Sequence, residues 1–228
     1  MWLNIKWYDA NNNLLREDGK YGPITVTLDG VQRQVNTLLD LKGTHTRIYE
    51  VRGSMTQDWG EKLLKMGSPT DLPLSFDRIT GKVDFTLGDL EKQRDDSYHE
   101  TFHFILNNYV AKDDRIPPYG MRYDEAKQRN ALPVPYCQYG CPSAGGSFDY
   151  HDNVKLAPPK GAKTASIDML YQPTSWEYIQ FLYLSNKRAN AFLADEGANL
   201  LDAWLNTGMA QPYVMSSTSW TCTQAGGC

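Results

Sequence analysis

His99, Glu100 and His103 are spaced as H-E-x-x-H within the stretch from Tyr98 to Gly120. On a helix this spacing places two imidazoles on one face, one turn apart, where they bind zinc while the glutamate activates water. The chemistry would be that of a zinc hydrolase with Glu100 as its general base. It requires a helix over these residues and a third ligand from elsewhere in the chain.

The residues around this motif favour a β-strand over a helix. On a strand over residues 99–106 one face would carry Glu100, Phe102, Phe104 and Leu106, and its three apolar residues would form a core side. His99 and His103 would share the other face but lie about 13 Å apart, which is too far for one metal ion. We therefore predict a core strand here, and no catalytic residue is assigned.

A weaker metal site would combine one of these histidines with His151, which lies between Asp149 and Asp152. A histidine in a hydrogen-bond network or on a solvated face is the simpler alternative. A surface histidine can also supply an axial ligand to haem on an adjoining domain. A bound metal ion stays an open alternative, with His99, His103 and His151 as its candidate ligands.

Asp113 and Asp114 offer oxygen ligands that, together with Asn107 and Asn108, would suit calcium. The spacing of an EF-hand is absent from this stretch. Pairing of an aspartate with Arg115, or with backbone N–H groups of a turn, explains the same residues without a ligand. We predict the structural role.

The four cysteines are Cys137 and Cys141 in the segment CQYGC, and Cys222 and Cys228 near the end of the sequence. An even number of cysteines in glycine- and proline-rich sequence favours disulfides and an oxidising compartment, with three possible connectivities. Structural zinc is the alternative, but the spacings C-x3-C and C-x5-C suit it poorly. All four are therefore disulfide candidates.

Charge and hydropathy exclude several functional classes. The 228 residues carry a net charge of -4, and 23 basic residues are interleaved with 27 acidic ones, which argues against a nucleic-acid surface. No apolar run approaches the roughly 18 residues that span a bilayer, so no membrane span is predicted. The first residues lack the pattern of a signal peptide, so that export would depend on an upstream signal absent from this sequence.

The composition favours strands and tight turns, because 14 Tyr and 6 Trp occur beside 18 Gly and 12 Pro. Alternation predicts hairpins over residues 2–17 and 24–35, the second through Asp29-Gly30, and further strands over residues 47–51, 74–76, 83–87, 148–156, 165–171 and 214–220. Helical spacing predicts helices after Thr56, from 123 to 130, after Thr174 and from 191 to 207.

These elements predict a mainly β protein, α+β by content. The predicted architecture is an antiparallel β-sandwich with helical insertions and a C-terminal helical pair. We expect one domain over residues 1–228, with the helical segment 174–208 packed on it and residues 209–228 as a tail.

Four segments of the chain resemble the C-terminal, non-haem portion of bacterial multihaem c-type cytochromes. They are MWLNIKWYDANNNLLREDGKYG, KDDRIPPYGMRYDEAKQRNALPVP, and YQPTSWEYIQFLYLSN with DAWLNTGM, and together they extend over nearly the whole chain. The resemblance implies a β-rich domain exported to the periplasm or cell surface and involved in electron transfer. It departs from the cytochromes in one respect, because no C-x-x-C-H motif for covalent haem attachment is present.

The resemblance therefore implies a non-catalytic accessory or docking domain that carries no haem itself. Any haem c would belong to upstream sequence or to a partner, and the partner would be a haem-bearing domain or redox protein. Two alternatives stay open: the zinc hydrolase, and a glycan- or protein-binding β-sandwich module that uses the aromatic residues between Tyr119 and Tyr150.

Overall fold

A computed structural model describes residues 1–43 and 45–223. The strands are β1 Trp2–Tyr8, β2 Leu14–Asp18, β3 Tyr21–Leu28, β4 Val31–Leu38, β5 Val51–Thr56, β6 Pro73–Phe76, β7 Val83–Thr86, β8 Tyr98–Glu100, β9 Tyr109–Asp113, β10 Thr164–Tyr171 and β11 Tyr213–Thr221. The helices are α1 Gln57–Lys65, α2 Leu87–Glu91, α3 Tyr123–Gln128, α4 Trp176–Ser185 and α5 Glu196–Asn206.

Within the described residues the strands form four sheets, and every strand pair is antiparallel. The largest sheet has the order β11-β10-β1-β2, and a three-stranded sheet has the order β8-β5-β9. Two hairpins, β3-β4 and β6-β7, complete the set. The predicted class is confirmed: the protein is mainly β, antiparallel and α+β by content, with a C-terminal helical pair.

The hairpins predicted from turn chemistry are present. Leu28 pairs with Val31 across a two-residue turn in which Asp29 and Gly30 both have positive φ, 49° and 77°. Asp-Gly accepts this geometry readily, and the resulting turn matches the twist of the strands. The strands over residues 74–76 and 165–171 and the helix after Thr56 are likewise found close to their predicted bounds.

Three predicted strands are wrong in whole or in part. Residues 47–51 contribute only an isolated bridge from Ile48 to Trp2 before β5 begins. No strand forms over residues 148–156. Strand β8 ends at Glu100 instead of Leu106, because the chain turns so that the N–H groups of Leu106 and Asn107 donate to the carbonyl of His103.

The C-terminal helices begin later than predicted. Helix α4 is capped by Ser175, whose hydroxyl accepts a hydrogen bond from the Tyr178 N–H, and not by Thr174. Helix α5 begins at Glu196 rather than residue 191. The intervening residues form turns in which Phe192 is exposed.

Two apolar clusters position the features described below. Trp176 of α4 and Trp204 of α5 pack with Val26 and Val35, so the helical pair covers the β3-β4 hairpin. The second cluster lies between α1, α2, β5 and β6 and contains Met55, Leu63, Leu74, Leu87 and Leu90. These clusters hold β6 and α4 in place as supports for the stretch that follows β8.

Candidate functional site

The two histidines of the H-E-x-x-H motif lie against β6, one on a strand and one in a turn. His99 belongs to β8, where it pairs with Met55, whereas His103 follows the end of that strand. His99 contacts Ser75 and His103 contacts Pro73, and these partners lie ~7 Å apart along an extended strand. The bend after Glu100 thus places both imidazoles on one neighbouring strand, which a straight strand would not do.

His103 is held by a hydrogen bond that fixes its tautomer. Its Nε2 atom lies 2.8 Å from the carbonyl oxygen of Pro73, and a carbonyl oxygen only accepts, so Nε2 carries the proton. The ring also packs edge-on against Phe181 of α4, with centroids 4.8 Å apart. A zinc ion could take this Nε2 only after the hydrogen bond was broken.

His99 stacks face to face on Phe85, with ring centroids 3.9 Å apart and planes inclined by 8°. Its Nε2 lies 2.9 Å from the hydroxyl oxygen of Ser75, and that hydroxyl donates to Asp84 at 3.3 Å. The imidazole is therefore the donor in this chain of contacts. Ser75 and His99 approach each other closely enough for a nucleophile and base, but the hydroxyl proton is directed to Asp84 instead.

Burial lowers the pKa of both histidines. For His99 desolvation is the largest cause, partly opposed by the negative charges of Asp84 and Glu100. For His103 desolvation again dominates, opposed by the hydrogen bond to Pro73. Both rings are therefore neutral near pH 7, with uncharged roles in packing and hydrogen bonding.

The remaining members of the predicted metal site lie elsewhere. Glu100 forms an ion pair with Arg52 at 3.2 Å, and His151 is exposed beside Tyr150. Among residues 1–43 and 45–223, no three or more His, Cys, Asp or Glu side chains group closely enough to hold a metal ion. Metal binding by His99, His103 and His151 stays a prediction without a preformed ligand set in this part of the chain.

The turn after β8 presents apolar side chains to solvent. We call Phe102, Phe104, Ile105 and Tyr178 the aromatic turn, since three of them follow β8 and the fourth lies on α4. Phe104 is 61% exposed and Ile105 is 97% exposed. The ring centroid of Tyr178 lies 5.4 Å from those of both Phe102 and Phe104, so α4 packs against the inner side of the turn.

Asn107 and Asn108 fix this turn to the three-stranded sheet. The amide of Asn107 donates to the carbonyl of Thr101 at 3.0 Å, and this contact closes the turn at its base. The side chain of Asn108 accepts from the N–H of Thr56 at 3.0 Å and donates to its hydroxyl at 2.7 Å. Gly53 makes room for Asn107, because a Cβ there would lie only 2.3 Å from its amide nitrogen. These asparagines therefore have structural roles.

A buried carboxylate organises the segment before β5. Asp114 is 2% exposed, lies 3.1 Å from Lys112 and 3.4 Å from Arg47, and accepts the N–H of Glu50 at 2.8 Å. Asp113 instead pairs with Arg115 at 2.6 Å. Both aspartates are thus occupied by cations or backbone donors, in agreement with the predicted structural role.

Arg47 connects Asp114 to two tyrosines. We call Arg47, Tyr49, Asp114, Tyr139 and Asp152 the Asp114 cluster. Its Nε lies 2.8 Å from Asp152, and its guanidinium stacks 4.8 Å from the ring centre of Tyr49. The Tyr49 hydroxyl donates to Asp152 at 3.0 Å, while that of Tyr139 donates to the carbonyl of Asp114. Desolvation first, and then the contact with Asp152, raise the pKa of Tyr49 to about 12. The cluster is therefore a set of fixed charges and neutral phenols.

Tyr139 enters this cluster from a small disulfide loop. Cys137 and Cys141 are bonded, with Cα atoms 4.7 Å apart, and Tyr139 between them is buried. No described cysteine is a free thiol, and Cys228 lies outside the described residues. One pair of the disulfide candidates is thus assigned. No sequence pattern indicated that Tyr139, Arg47 and Asp114 would meet.

No helix in the described part of the chain is long and apolar enough to cross a membrane. Comparison of the chain with models of protein families, with curated proteins and with solved structures gives no match. The class defined by the fold is an antiparallel α+β protein with an exposed apolar turn. The functional interpretation rests on that surface, on the contacts around it and on the sequence resemblance.

Proposed function

We propose that this chain is a non-catalytic docking domain of an exported multihaem cytochrome, with a role in electron transfer and no haem of its own. Its partner is a haem-bearing domain or redox protein. The observation that carries the proposal is the aromatic turn, where Phe104 and Ile105 project into solvent from a supported base.

An exposed apolar group of this kind is typical of an interaction surface. Aromatic side chains are enriched at the buried centres of protein interfaces, and a few such anchors supply most of the binding energy. The base of the turn is fixed by Asn107 and Asn108, so little ordering entropy is lost on binding. A rigid apolar projection suits a partner with an apolar pocket.

The sequence resemblance connects this surface to a haem protein. One of the resembling segments, YQPTSWEYIQFLYLSN, forms α4 and supplies Tyr178 and Phe181 beneath the turn. The Cys137–Cys141 disulfide is compatible with an oxidising compartment outside the cytoplasm. Because the sequence contains no C-x-x-C-H motif, the haem is assigned to the partner.

The test begins with the haem-bearing polypeptide encoded upstream of or beside this chain. That polypeptide, matured with haem, is titrated with the chain by calorimetry. We expect binding that Phe104→Ser combined with Ile105→Ser weakens at least about tenfold. The matched control is Phe192→Ser combined with Leu193→Ser, which alters another exposed apolar turn and leaves the affinity unchanged.

Three results would contradict the proposal. The first is the absence of C-x-x-C-H repeats from the polypeptides encoded upstream of or beside this chain. The second is equal binding by the wild type and by Phe104→Ser combined with Ile105→Ser, which we call the aromatic-turn variant. The third is a stoichiometric covalent Soret band from the purified chain alone.

A glycan-binding module is a second candidate, supported by Tyr119 and Tyr150. Both rings are exposed, with centroids 5.0 Å apart and planes inclined by 82°. The exposed face of one ring of such a pair can stack on a sugar ring, although exposed aromatic rings occur on many folds. Binding of oligosaccharides that disappears in Tyr119→Ala combined with Tyr150→Ala would favour this function over docking.

The zinc hydrolase is the third class and has the least support. Zinc binding would break the hydrogen bonds of His99 with Ser75 and of His103 with Pro73. Glu100 would also lose its ion pair with Arg52. Elemental analysis of the purified chain tests it directly. An equimolar metal that is lost in His103→Ala would revive the hydrolase.

A further inference from the structure

Strand β11 is an unprotected edge. It is the outermost strand of the four-stranded sheet, and within the described residues it pairs only with β10. Its nine residues, YVMSSTSWT, include no charged residue and no proline, and all except Trp220 are exposed. Tyr213 at its start is 70% exposed. The strand therefore offers a row of backbone donors and acceptors together with apolar and hydroxyl side chains.

The opposite edge of the same sheet is protected. Strand β2 has only five residues, of which Arg16, Glu17 and Asp18 are charged, and its pairing with β1 is interrupted by a bulge. Short length, charge and bulges are the devices by which proteins prevent edge-to-edge pairing. Strand β2 is short, bulged and charged after its two leucines, whereas β11 has one bulge near Val214 and a regular ladder from Ser216 to Thr221.

The side chains of β11 match a second copy of the same strand. Antiparallel pairing about a two-fold axis near Ser217 would oppose Ser216 with Thr218, and no like charges would meet. Cross-strand pairs of serine and threonine are favourable, whereas like charges directly opposite each other are not. The interface would be isologous, since each copy contributes the same strand.

Such pairing would give a closed dimer and not an open filament. Four strands from each copy would join into one sheet of eight, and both outer edges would be the charged, bulged β2. Growth would stop at two copies because β2 resists further pairing. We infer that two copies of this chain dimerise through antiparallel pairing of their β11 strands.

The test measures the mass of the full chain in solution by sedimentation equilibrium, where one copy has a mass of 25.9 kDa. The test variant is Ser216→Lys combined with Thr218→Lys. In any register centred on residue 216, 217 or 218, the introduced ammonium groups of the two copies face each other. We expect the wild type to be dimeric and the variant to have a dissociation constant at least about tenfold higher.

Two controls distinguish the edge from a general charge effect. Gln32→Lys combined with Gln34→Lys adds the same charges at exposed positions of β4 and should leave the mass unchanged. Ser216→Glu combined with Thr218→Glu should also weaken the homodimer, whereas an equimolar mixture of the lysine and glutamate variants should restore dimers. Circular dichroism checks that each variant is folded.

A monomeric wild type at high micromolar concentration would overturn the inference, and so would a dimer that the lysine variant leaves intact. If the wild type is monomeric but binds the haem-bearing polypeptide in a way that the lysine variant abolishes, the edge belongs to that partner and the homodimer is excluded. The aromatic-turn variant provides an independent readout, because it alters docking without altering β11.

Discussion

The Nε2 atom of His103 lies 2.8 Å from the carbonyl oxygen of Pro73, and this contact ties the turn after β8 to β6. We expect His103→Ala to lower the free energy of unfolding by about 2 kcal/mol, because it removes a half-buried hydrogen bond and the edge-on contact with Phe181. Denaturant titration measures the change. His151→Ala alters an exposed ring and should have almost no effect; equal effects of the two variants would contradict the assigned contact.

Stability should depend on pH through the same two histidines. Folding lowers the pKa of His99 and His103 below the ordinary histidine value of roughly 6.5. Below that pH the two histidines therefore bind more protons in the unfolded chain than in the folded protein. The contribution of both rings to the free energy of unfolding is complete above that pH. It is lost as the pH falls towards the lower pKa values of the folded state. Carboxylates with lowered pKa, such as Asp77, act in a separate window below about pH 4.

The experiment compares the free energy of unfolding at pH 7 and at pH 5.5, chosen as about one unit below the ordinary histidine pKa. The wild type should be less stable at the lower pH, and His99→Gln combined with His103→Gln should reduce that difference. His151→Gln is the matched control and should retain it. A pH dependence that is unchanged in the double variant would show that these rings do not titrate as described.

The hairpins could be predicted because their information is local. Asp29 and Gly30 supply the positive φ angles of a tight turn, and the flanking alternation sets the strands. The strand predicted over residues 99–106 failed for the opposite reason. Contacts from Pro73 and Phe181, which are distant in sequence, hold the chain in a turn after Glu100. Phe104, which a straight strand would have placed on its buried face, then points outwards, and Ile105 is exposed as well.

The Asp114 cluster could not be predicted from spacing. Arg47 is separated from Asp114 by 67 residues and from Asp152 by 105 residues, and no periodic pattern relates them. The sequence correctly favoured a structural role for the aspartate, but it indicated only Arg115 as a cation nearby. Pairing over such distances is set by the assembled sheets and loops, which local patterns do not encode.

Asp114 should be among the costliest polar residues to remove. We expect Asp114→Ala to destabilise the protein by about 3 kcal/mol, since it leaves Arg47, Lys112 and the N–H of Glu50 without their shared acceptor. The partly exposed cations reduce the cost below that of a fully buried pair. Asp58→Ala breaks an exposed pair with Lys62 and should have a much smaller effect, because water screens that pair. A similar loss in both variants, measured by denaturant unfolding, would contradict the assigned role of the cluster.

The Cys137–Cys141 disulfide should contribute modestly, because the loop it closes is short. A sequence separation of four residues corresponds to about 2 kcal/mol of lost entropy in the unfolded chain. Cys137→Ser combined with Cys141→Ser should therefore lower the free energy of unfolding by about that amount. If Tyr139 leaves the Asp114 cluster in the variant, the loss should be larger. Combining the serine variant with Tyr139→Phe separates the contributions, since independent effects add.

The aromatic turn should contribute to binding and not to folding. Ile105 is almost fully exposed and Phe104 mostly so, although the Phe104 ring contacts Tyr178, and we expect Phe104→Ser combined with Ile105→Ser to lower stability by less than about 1 kcal/mol. Phe102→Ser should cost about 1–2 kcal/mol, because that ring contacts Tyr178 and Phe181. Denaturant unfolding of both variants provides the comparison. If the double variant were the more destabilising of the two, the exposed side chains would belong to the core, and the surface assigned to a partner would lose its basis.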